Sequence, residues 1–236
     1  MKKINLKKIR NPFLDLSRFE WMLWLLGVAT VILSFFLSPS RDYWTPAASL
    51  IGVTALIFVA KGYVIGQLLT VVFAIFYGVI SFRFRYYGEM ITYLGMTSPI
   101  AILTVISWLR HPYRDTAEVE VNRMTRRGVA VMWVLAFLVT VCFYPILKFL
   151  GTANLMASTV SVMTSFLASY LTLMRSPYYA LAYAANDVIL IVLWTLAMLA
   201  QPSYFPMIVC FVMFLANDLY GFYHWQRMKR RQNGSS

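Results

Sequence analysis

The amino-acid sequence predicts an all-α integral membrane protein with eight transmembrane helices. Of its 236 residues, 60% are apolar and only 13% are charged, and the mean hydropathy is +0.67. Soluble domains carry about a quarter charged residues, so this composition excludes a soluble globular protein. The charged residues also lie mostly between long apolar runs, which is the arrangement that a bilayer requires.

Each predicted helix is an apolar run that is long enough to cross a bilayer, which takes about 20 residues. Read from one charged residue to the next, the eight runs cover residues 21–37, 43–60, 62–82, 90–109, 128–147, 149–174, 176–200 and 203–225. The polar stretches are a basic arm over 1–20, a loop over 110–127 and a basic tail over 226–236. We therefore expect a single membrane domain without a soluble domain.

The distribution of Lys and Arg predicts that both termini are cytoplasmic. Cytoplasmic loops are enriched in these residues, and with an inner N-terminus 17 of the 21 fall on the inner side. The four on the outer side are Arg41, Arg83, Arg85 and Lys148. We attribute the net charge of +12 to this orientation and to contact with anionic lipid, not to nucleic-acid binding.

The spans after the first are predicted to form an internal repeat. Each group of three has a basic residue in its first inner loop, Lys61 or Arg175, and ends in Trp-x-Arg, at Trp108 or Trp225. Tryptophan next to arginine is also common at membrane boundaries. If the repeat is real, the chain comprises an extra helix (21–37), a first triplet (43–109), a linker helix (128–147) and a second triplet (149–225). Such parallel repeats are a transporter architecture with substrate bound near the midplane.

Two acids, Asp187 and Asp218, are the only ones that this assignment places at membrane depth, and each follows an asparagine, Asn186 or Asn217. Ionisable residues at that depth mark function by default, but a structural hydrogen bond between helices is an equal alternative for the aspartates. For the asparagines we favour substrate contact, because an amide both donates and accepts hydrogen bonds.

Further candidates for substrate contact are aromatic or hydroxyl side chains in the same spans. Tyr220 shares a helical stripe with Asn217, and Trp194 lies deeper than most of the other tryptophans. Trp194, Tyr77 or Tyr220 could stack on a flat ring, although a buried tryptophan usually serves packing. The remaining polar candidates are Gln67, Thr164 and Ser165. Hydroxyls in helices often bond their own backbone instead.

Motifs typical of enzymes and metal sites are absent from the sequence. It contains neither a phosphate-binding loop nor HExxH, and its two histidines do not suggest a metal centre. Cys142 and Cys210 lie in apolar stretches without CxxC spacing, so we expect them to be packing residues. The sequence thus predicts no cofactor, no metal and no catalysis.

Two motifs resemble the PnuC family of bacterial vitamin transporters. They are YYGEM at residues 86–90, followed by Pro99 and Trp108, and NDLYGFYHW at residues 217–225. Weaker similarities are Ser165 with Ala168, and Asn186 with Trp194. The similarity covers the chain from about residue 43 to residue 230.

The resemblance implies a three-plus-one-plus-three fold related to the SWEET sugar transporters, in the bacterial inner membrane. It also implies uptake of nicotinamide riboside by facilitated diffusion, with a cytoplasmic kinase trapping the vitamin. The family's binding positions carry over to Asn186, Asn217 and Tyr220. Whether copies of the chain associate is left open.

One departure from the family pattern leaves other substrates open. Many members carry PMQ and GW after the first motif, whereas residues 99–101 and 104–105 read PIA and TV here. Relatives transport thiamine, riboflavin or deoxynucleosides. The alternatives to the leading hypothesis are therefore transport of one of these, transport coupled to protons through the two aspartates, and a membrane enzyme or scaffold.

Overall fold

The computed structural model describes residues 11–37, 43–114, 116–152 and 154–234, so the basic residues predicted at positions 2–10 lie outside the described part. Most of this part is helical. The helices are α1 (Arg18–Leu37), α2 (Trp44–Ala60), α3 (Val64–Arg83), α4 (Tyr87–Ile91), α5 (Ser98–Arg110), α6 (Arg126–Phe149), α7 (Leu155–Leu173), α8 (Tyr179–Ala200) and α9 (Phe205–Asn233). A π-helical segment, Thr92–Thr97, joins α4 to α5 without a break.

Within the described residues, seven helical segments are long and apolar enough to cross a bilayer, with α4 to α5 counted as one segment over Tyr87–Arg110. The shorter α2 is also apolar and has 17 residues. The predicted fold class, an all-α integral membrane protein, is confirmed. The count of eight spans, the relation to SWEET transporters and the cytoplasmic termini stay predictions.

Most predicted span boundaries lie within about three residues of the helix ends, but two predicted boundaries differ more. The run over 149–174 was expected to be one span, but α6 ends at Phe149 and α7 begins only at Leu155. Gly151 and Asn154 adopt left-handed backbone conformations between them, which a helix excludes. The tail predicted from residue 226 is helical as far as Asn233. α9 continues through it without a break, with Arg227, Arg230 and Arg231 exposed.

The helices of the two predicted triplets pack into one bundle. α2 lies between α3 and α9, and α8 contacts both α7 and α9. α2 and α3 approach each other closely at Gly66, where a Cβ atom would lie 2.4 Å from the backbone nitrogen of Val59. The linker helix α6 packs against α7 and exposes most of its apolar side chains, which is the exposure expected of a lipid-facing helix.

Helix α1 begins with a capping box. The backbone nitrogen of Ser17 donates to Oε2 of Glu20 at 2.6 Å, and the backbone nitrogen of Glu20 donates to Oγ of Ser17. This reciprocal pair satisfies two of the N–H groups that a helix start leaves unpaired. α1 then packs against α2 and α9, outside the predicted triplets.

The loop over 110–127 is hydrogen-bonded to one end of the bundle, the end that is predicted to be cytoplasmic. The backbone nitrogen of Val119 donates to the carbonyl of Gly62 at 3.0 Å. The Gln232 side chain accepts from the Val121 nitrogen at 2.8 Å and donates to the Val119 carbonyl at 3.2 Å. The helical tail therefore has a structural role, since it holds this loop.

Two tryptophans at the same end of the bundle each form a hydrogen bond to the other triplet. Trp108 on α5 donates its indole N–H to the Thr172 carbonyl on α7 at 3.1 Å. Trp225 on α9 donates to the Val59 carbonyl on α2 at 3.0 Å. Each triplet thus ends in a tryptophan that bonds the first helix of the other triplet, which is the reciprocity that two equivalent triplets would produce.

Candidate functional site

The two aspartates predicted at membrane depth meet at the contact between α8 and α9. The side chains of Asp187 and Asp218 lie next to each other, and both are almost entirely buried. A hydrogen bond between two carboxyl groups requires that one of them carries a proton, since two carboxylates repel. Within the described residues no hydroxyl or N–H group donates to Oδ2 of Asp187.

Asn186 is held by two hydroxyl groups of α7. Its Oδ1 accepts hydrogen bonds from Oγ1 of Thr164 at 2.8 Å and from Oγ of Ser165 at 2.9 Å. Thr164 also lies within bonding distance of its own helix backbone, at the Val160 carbonyl. Since the amide oxygen is occupied, the N–H groups of Asn186 are the ones that can donate to a ligand.

In Asn217 the amide oxygen, rather than the amide nitrogen, is left for a ligand. Its Nδ2 donates to the Met213 carbonyl within α9 at 2.9 Å, whereas no described residue donates to its buried Oδ1. Gln67 is buried on the inner half of α3. Buried polar groups are normally hydrogen-bonded, so the Asn217 oxygen is a candidate acceptor for a substrate hydroxyl or amide.

The two ring systems that the sequence singled out, Tyr77 and Trp194, contact each other. The indole N–H of Trp194 donates to the Tyr77 hydroxyl at 3.0 Å, and both side chains are fully buried. The ring of Tyr93 lies 4.2 Å from that of Tyr77, centroid to centroid. Tyr86 packs on the other side of Trp194, at 4.8 Å. These rings form a continuous aromatic cluster in the core.

Glu89 is a buried acid that the sequence analysis missed. Its side chain is fully buried; Oε2 accepts from Oγ of Ser161 at 3.4 Å, and Oε1 has no partner among the described residues. The prediction that Asp187 and Asp218 are the only acids at membrane depth was therefore wrong. The charge-to-charge reading began the fourth span at residue 90, but the helix begins at Tyr87.

The π-helical segment contains Tyr93, a ring of the aromatic cluster that lies near two of these acids. Tyr93 lies close to both Glu89 and Asp187, so the acids of α4 and α8 approach the same aromatic cluster. π-helical turns inside α-helices occur frequently at functional sites. The segment contains Gly95 and is followed by Pro99, but the sequence analysis drew no irregular turn from these two residues.

Tyr220 lies apart from this group. Its hydroxyl donates to Oε1 of Glu20 on α1 at 2.8 Å, and Glu20 is also paired with Lys61 at 3.2 Å. Residues three apart on a helix differ by about 60° in direction, and this difference turns Tyr220 toward α1 while Asn217 faces the core. The structure therefore does not bring Tyr220 to the other candidates, and Glu20 is a second buried acid that the sequence analysis missed.

Within the described residues, no group of three His, Cys, Asp or Glu side chains is arranged to hold a metal ion. Cys210 is buried and Cys142 lies on the exposed side of α6, and both are free thiols. The candidate site is thus an enclosed set of acids, amides and aromatic rings contributed by α3, α4, α7, α8 and α9.

Comparison with solved structures shows the same fold in a known transporter. The structure described as "Crystal structure of the Vitamin B3 transporter PnuC" matches with a TM-score of 0.81 and 24% sequence identity. The match covers 92% of this chain and 94% of that chain. The helical architecture is therefore shared over nearly the whole length of both proteins.

Two curated relatives are both described as "Nicotinamide riboside transporter PnuC". The protein of Neisseria mucosa is 26% identical over 233 residues, which cover 95% of this chain and 87% of that protein. The protein of Haemophilus influenzae is 23% identical over 195 residues, which cover 81% of this chain and 83% of that protein.

The model of the family described as "Nicotinamide mononucleotide transporter" matches residues 42–227, which is well over half of the chain. This match confirms the resemblance seen in the motifs, and it confirms a transporter rather than an enzyme. With its apolar helices, the protein is a multi-pass protein of the bacterial inner membrane. The chain belongs to the nicotinamide mononucleotide transporter family.

Proposed function

We propose that this protein takes up nicotinamide riboside by facilitated diffusion. The proposal rests on three kinds of buried side chain: acids, aromatic rings, and amides in which only the oxygen or only the nitrogen is hydrogen-bonded. Nicotinamide riboside has a cationic pyridinium ring, a carboxamide and a ribose, so it requires all three kinds of group. The two relatives described as riboside transporters supply the substrate's name.

The pyridinium ring would be recognised by the aromatic cluster and the nearby acids. A cation over a tyrosine or tryptophan face is stabilised by roughly 0.5–2 kcal/mol, and most strongly when water is excluded. Tyr77, Tyr93 and Trp194 are buried together, and Tyr93 lies close to Glu89 and Asp187. The negative charge of these acids would compensate the positive charge of the pyridinium ring, because water is excluded from this buried region and cannot solvate the ring.

The amides would recognise the carboxamide and the ribose. Asn186 offers N–H donors because its oxygen is occupied by Thr164 and Ser165, and Asn217 offers an acceptor oxygen. Gln67 would contribute a third amide from α3. A donor and an acceptor on separate helices match a substrate that carries both kinds of group.

Alternating access is supported by aromatic contacts on both sides of the polar groups. Trp108 and Trp225 close the end that is predicted to be cytoplasmic, while Tyr77 and Trp194 lie in the outer halves of their helices. A cavity of about 800 Å³ at the outer end reaches Phe84 and Tyr204. The rings of both residues contact Trp194, so movement of this cluster would connect the cavity to the centre.

A facilitator has to release its substrate readily, since a site that binds too tightly conducts slowly. Net uptake would then depend on a cytoplasmic kinase, because phosphorylation adds charge to the vitamin and prevents its return through a site that is lined with acids. This coupling is functional and requires no contact between the two proteins.

A second candidate, proton-coupled transport, is favoured by one observation. Asp187 and Asp218 lie next to each other, so one of the two carboxyl groups would carry a proton in a hydrogen bond between them, and this proton could be released when a substrate cation arrives. Uptake into kinase-free liposomes would collapse with an uncoupler in this case, and it would be indifferent to the uncoupler under facilitated diffusion.

The first test is calorimetric titration of the purified protein with nicotinamide riboside. Thiamine, riboflavin and a deoxynucleoside are titrated separately as alternative substrates. We expect saturable binding of the riboside alone, weakened about tenfold by Asn217→Ala, which corresponds to about 1.4 kcal/mol. Asn11→Ala, which changes an exposed asparagine outside the helices, serves as the matched control. Binding of one of the alternative substrates without binding of the riboside would leave the fold assignment intact and would reject the riboside as the substrate.

A further inference from the structure

A second cavity lies between the first turn of α1 and the inner part of α9, away from the candidate transport site. Its volume is about 520 Å³, and its lining includes Phe19, Ala216, Tyr220, Tyr223 and Arg227. This volume is within the range of ligand pockets. The cavity is at the level of the first turn of α1, which begins at Arg18. On α9 it reaches Arg227, which lies where the sequence predicts the inner end of the last membrane span.

The charge around this cavity is positive. Arg227 is exposed and contributes its guanidinium group, and Arg18 lies between two lining residues, Ser17 and Phe19. Glu20 accepts a hydrogen bond from the hydroxyl of the lining residue Tyr220, and its charge is compensated by Lys61 at 3.2 Å. In the described ranges neither Arg18 nor Arg227 takes part in an ion pair, so their charges are available to an anion.

The cavity also has an exposed apolar part. Phe19 and Tyr223 are 50% and 63% exposed. Leu26 on α1 and Leu219 on α9 are further exposed apolar side chains of these two helices. Arg227 follows Tyr223 by one helical turn, or about 6 Å along the axis. An aromatic ring one turn deeper than a guanidinium group matches the boundary between acyl chains and headgroups.

We infer that this cavity binds the headgroup of an anionic phospholipid from the inner leaflet. Arg227 would pair with the lipid phosphate, and Phe19 and Tyr223 would line the first part of an acyl chain. Basic pockets between membrane helices on the cytoplasmic side are suited to such headgroups. The occupant is a lipid rather than a soluble phosphate, because the cavity combines one cationic side with exposed aromatic rings at bilayer depth.

The bound lipid would stabilise the attachment of α1. Tyr220 lines the cavity and also bonds Glu20, and Glu20 connects α1 to Lys61 in the turn between α2 and α3. A lipid that fills the space beside Tyr220 would exclude water from this link. The inference goes beyond the proposed transport function and does not depend on which vitamin is carried.

The test is native mass spectrometry of the protein in detergent, titrated with phosphatidylglycerol or phosphatidylcholine. We expect phosphatidylglycerol to bind at least fivefold more tightly than phosphatidylcholine, and Arg227→Gln to remove most of this difference. Arg230→Gln removes the same charge from an exposed position of α9 outside the cavity lining and is expected to retain it. Equal effects of the two variants would overturn the inference, since only general surface charge would then attract the lipid.

A second variant guards against a folding defect in Arg227→Gln. Ala216→Phe fills the cavity without changing charge, and we expect it to weaken phosphatidylglycerol binding as well. In a third experiment the protein is titrated with glycerophosphate alone. Tight binding of this soluble headgroup would identify a phosphate site rather than a lipid site and would reject the proposal. Unchanged lipid binding by Ala216→Phe would also reject it, because the lipid would then bind elsewhere.

Discussion

Tyr77 on α3 and Trp194 on α8 are joined by a hydrogen bond of 3.0 Å and are separated by 117 residues in the chain. Trp108 and Trp225, whose ring centroids lie 5.6 Å apart, have the same separation. Equivalent residues of two repeats can touch only near the axis that relates the repeats. The two contacts are those expected near such an axis, one in the half of the bundle that is predicted to be outer and one at the opposite end, and they support the predicted repeat with the same offset.

The bond between Tyr77 and Trp194 predicts a measurable coupling energy. Tyr77→Phe removes the acceptor and leaves a buried indole N–H unpaired, so we expect it to lower the free energy of unfolding by about 1–3 kcal/mol. In a Trp194→Phe background the same change costs less, because no donor is left without a partner. The measurement is a double-mutant cycle in chemical unfolding. Additive effects would mean that the bond is not formed, and Tyr223→Phe, an exposed tyrosine, is the control.

Gly66 predicts a severe defect from a single methyl group. In Gly66→Ala the new Cβ would lie 2.4 Å from the Val59 nitrogen and 2.8 Å from the Phe58 carbonyl carbon. Both are backbone atoms, so α2 and α3 would have to separate, at a cost of about 1–3 kcal/mol or more. We expect loss of monodisperse protein in size-exclusion chromatography after expression.

Gly95→Ala is the matched control for this substitution. Its Cβ would meet only Ile91 Cγ2, at 3.8 Å, which is an ordinary contact. The Gly95 variant is therefore expected to match the wild-type protein. A normal elution profile for Gly66→Ala would contradict the close approach of the two helices.

The buried carboxyl group of Glu89 predicts selectivity for a cationic substrate. Glu89→Gln keeps the size of the side chain but removes the charge that would face the pyridinium ring. We expect nicotinamide riboside to bind about tenfold more weakly, equivalent to about 1.4 kcal/mol, and fluorescence or calorimetric titration measures the change. The control is Glu120→Gln, an exposed residue of the loop over 110–127. A variant that retains wild-type affinity would remove Glu89 from the proposed site.

The two hydrogen bonds of Gln232 predict that the helical tail protects the loop over 110–127 from exchange. Gln232→Ala deletes the acceptor of the Val121 amide and the donor to the Val119 carbonyl. A typical net hydrogen bond contributes about 0.5–1.5 kcal/mol, so hydrogen exchange near Val121 should become about tenfold faster. Arg230→Ala, exposed on the same helix, should leave the rate unchanged. Unaltered exchange in Gln232→Ala would show that the loop is held by other contacts.

The fold class and the central amides could be predicted from the sequence. A bilayer requires about 20 apolar residues in succession for each helix, and this requirement is visible in the chain without knowledge of any neighbour. The same holds for Asn186, Asn217 and the two aspartates, because a polar residue in the middle of an apolar run is conspicuous. All four side chains are buried in the structure, although residues beside them in the same runs, such as Val188 and Leu219, are exposed.

The partners of these residues could not be predicted in the same way. Glu89 was taken as a residue outside the bilayer because it borders an apolar run, but Ser161, 72 residues away, bonds it inside the bundle. Tyr220 was grouped with Asn217 by helical position, but Glu20, 200 residues away, draws it to α1.

Hydropathy is a property of each segment alone, so the segments that enter the membrane can be identified from the sequence. The face of each helix that meets the polar centre depends on the helices packed against it, and this packing is not visible in any one segment. Buried acids depend on such neighbours for their hydrogen bonds. Glu89 accepts from Ser161 on another helix, and Glu20 is bound by Lys61 and Tyr220 in addition to the start of its own helix.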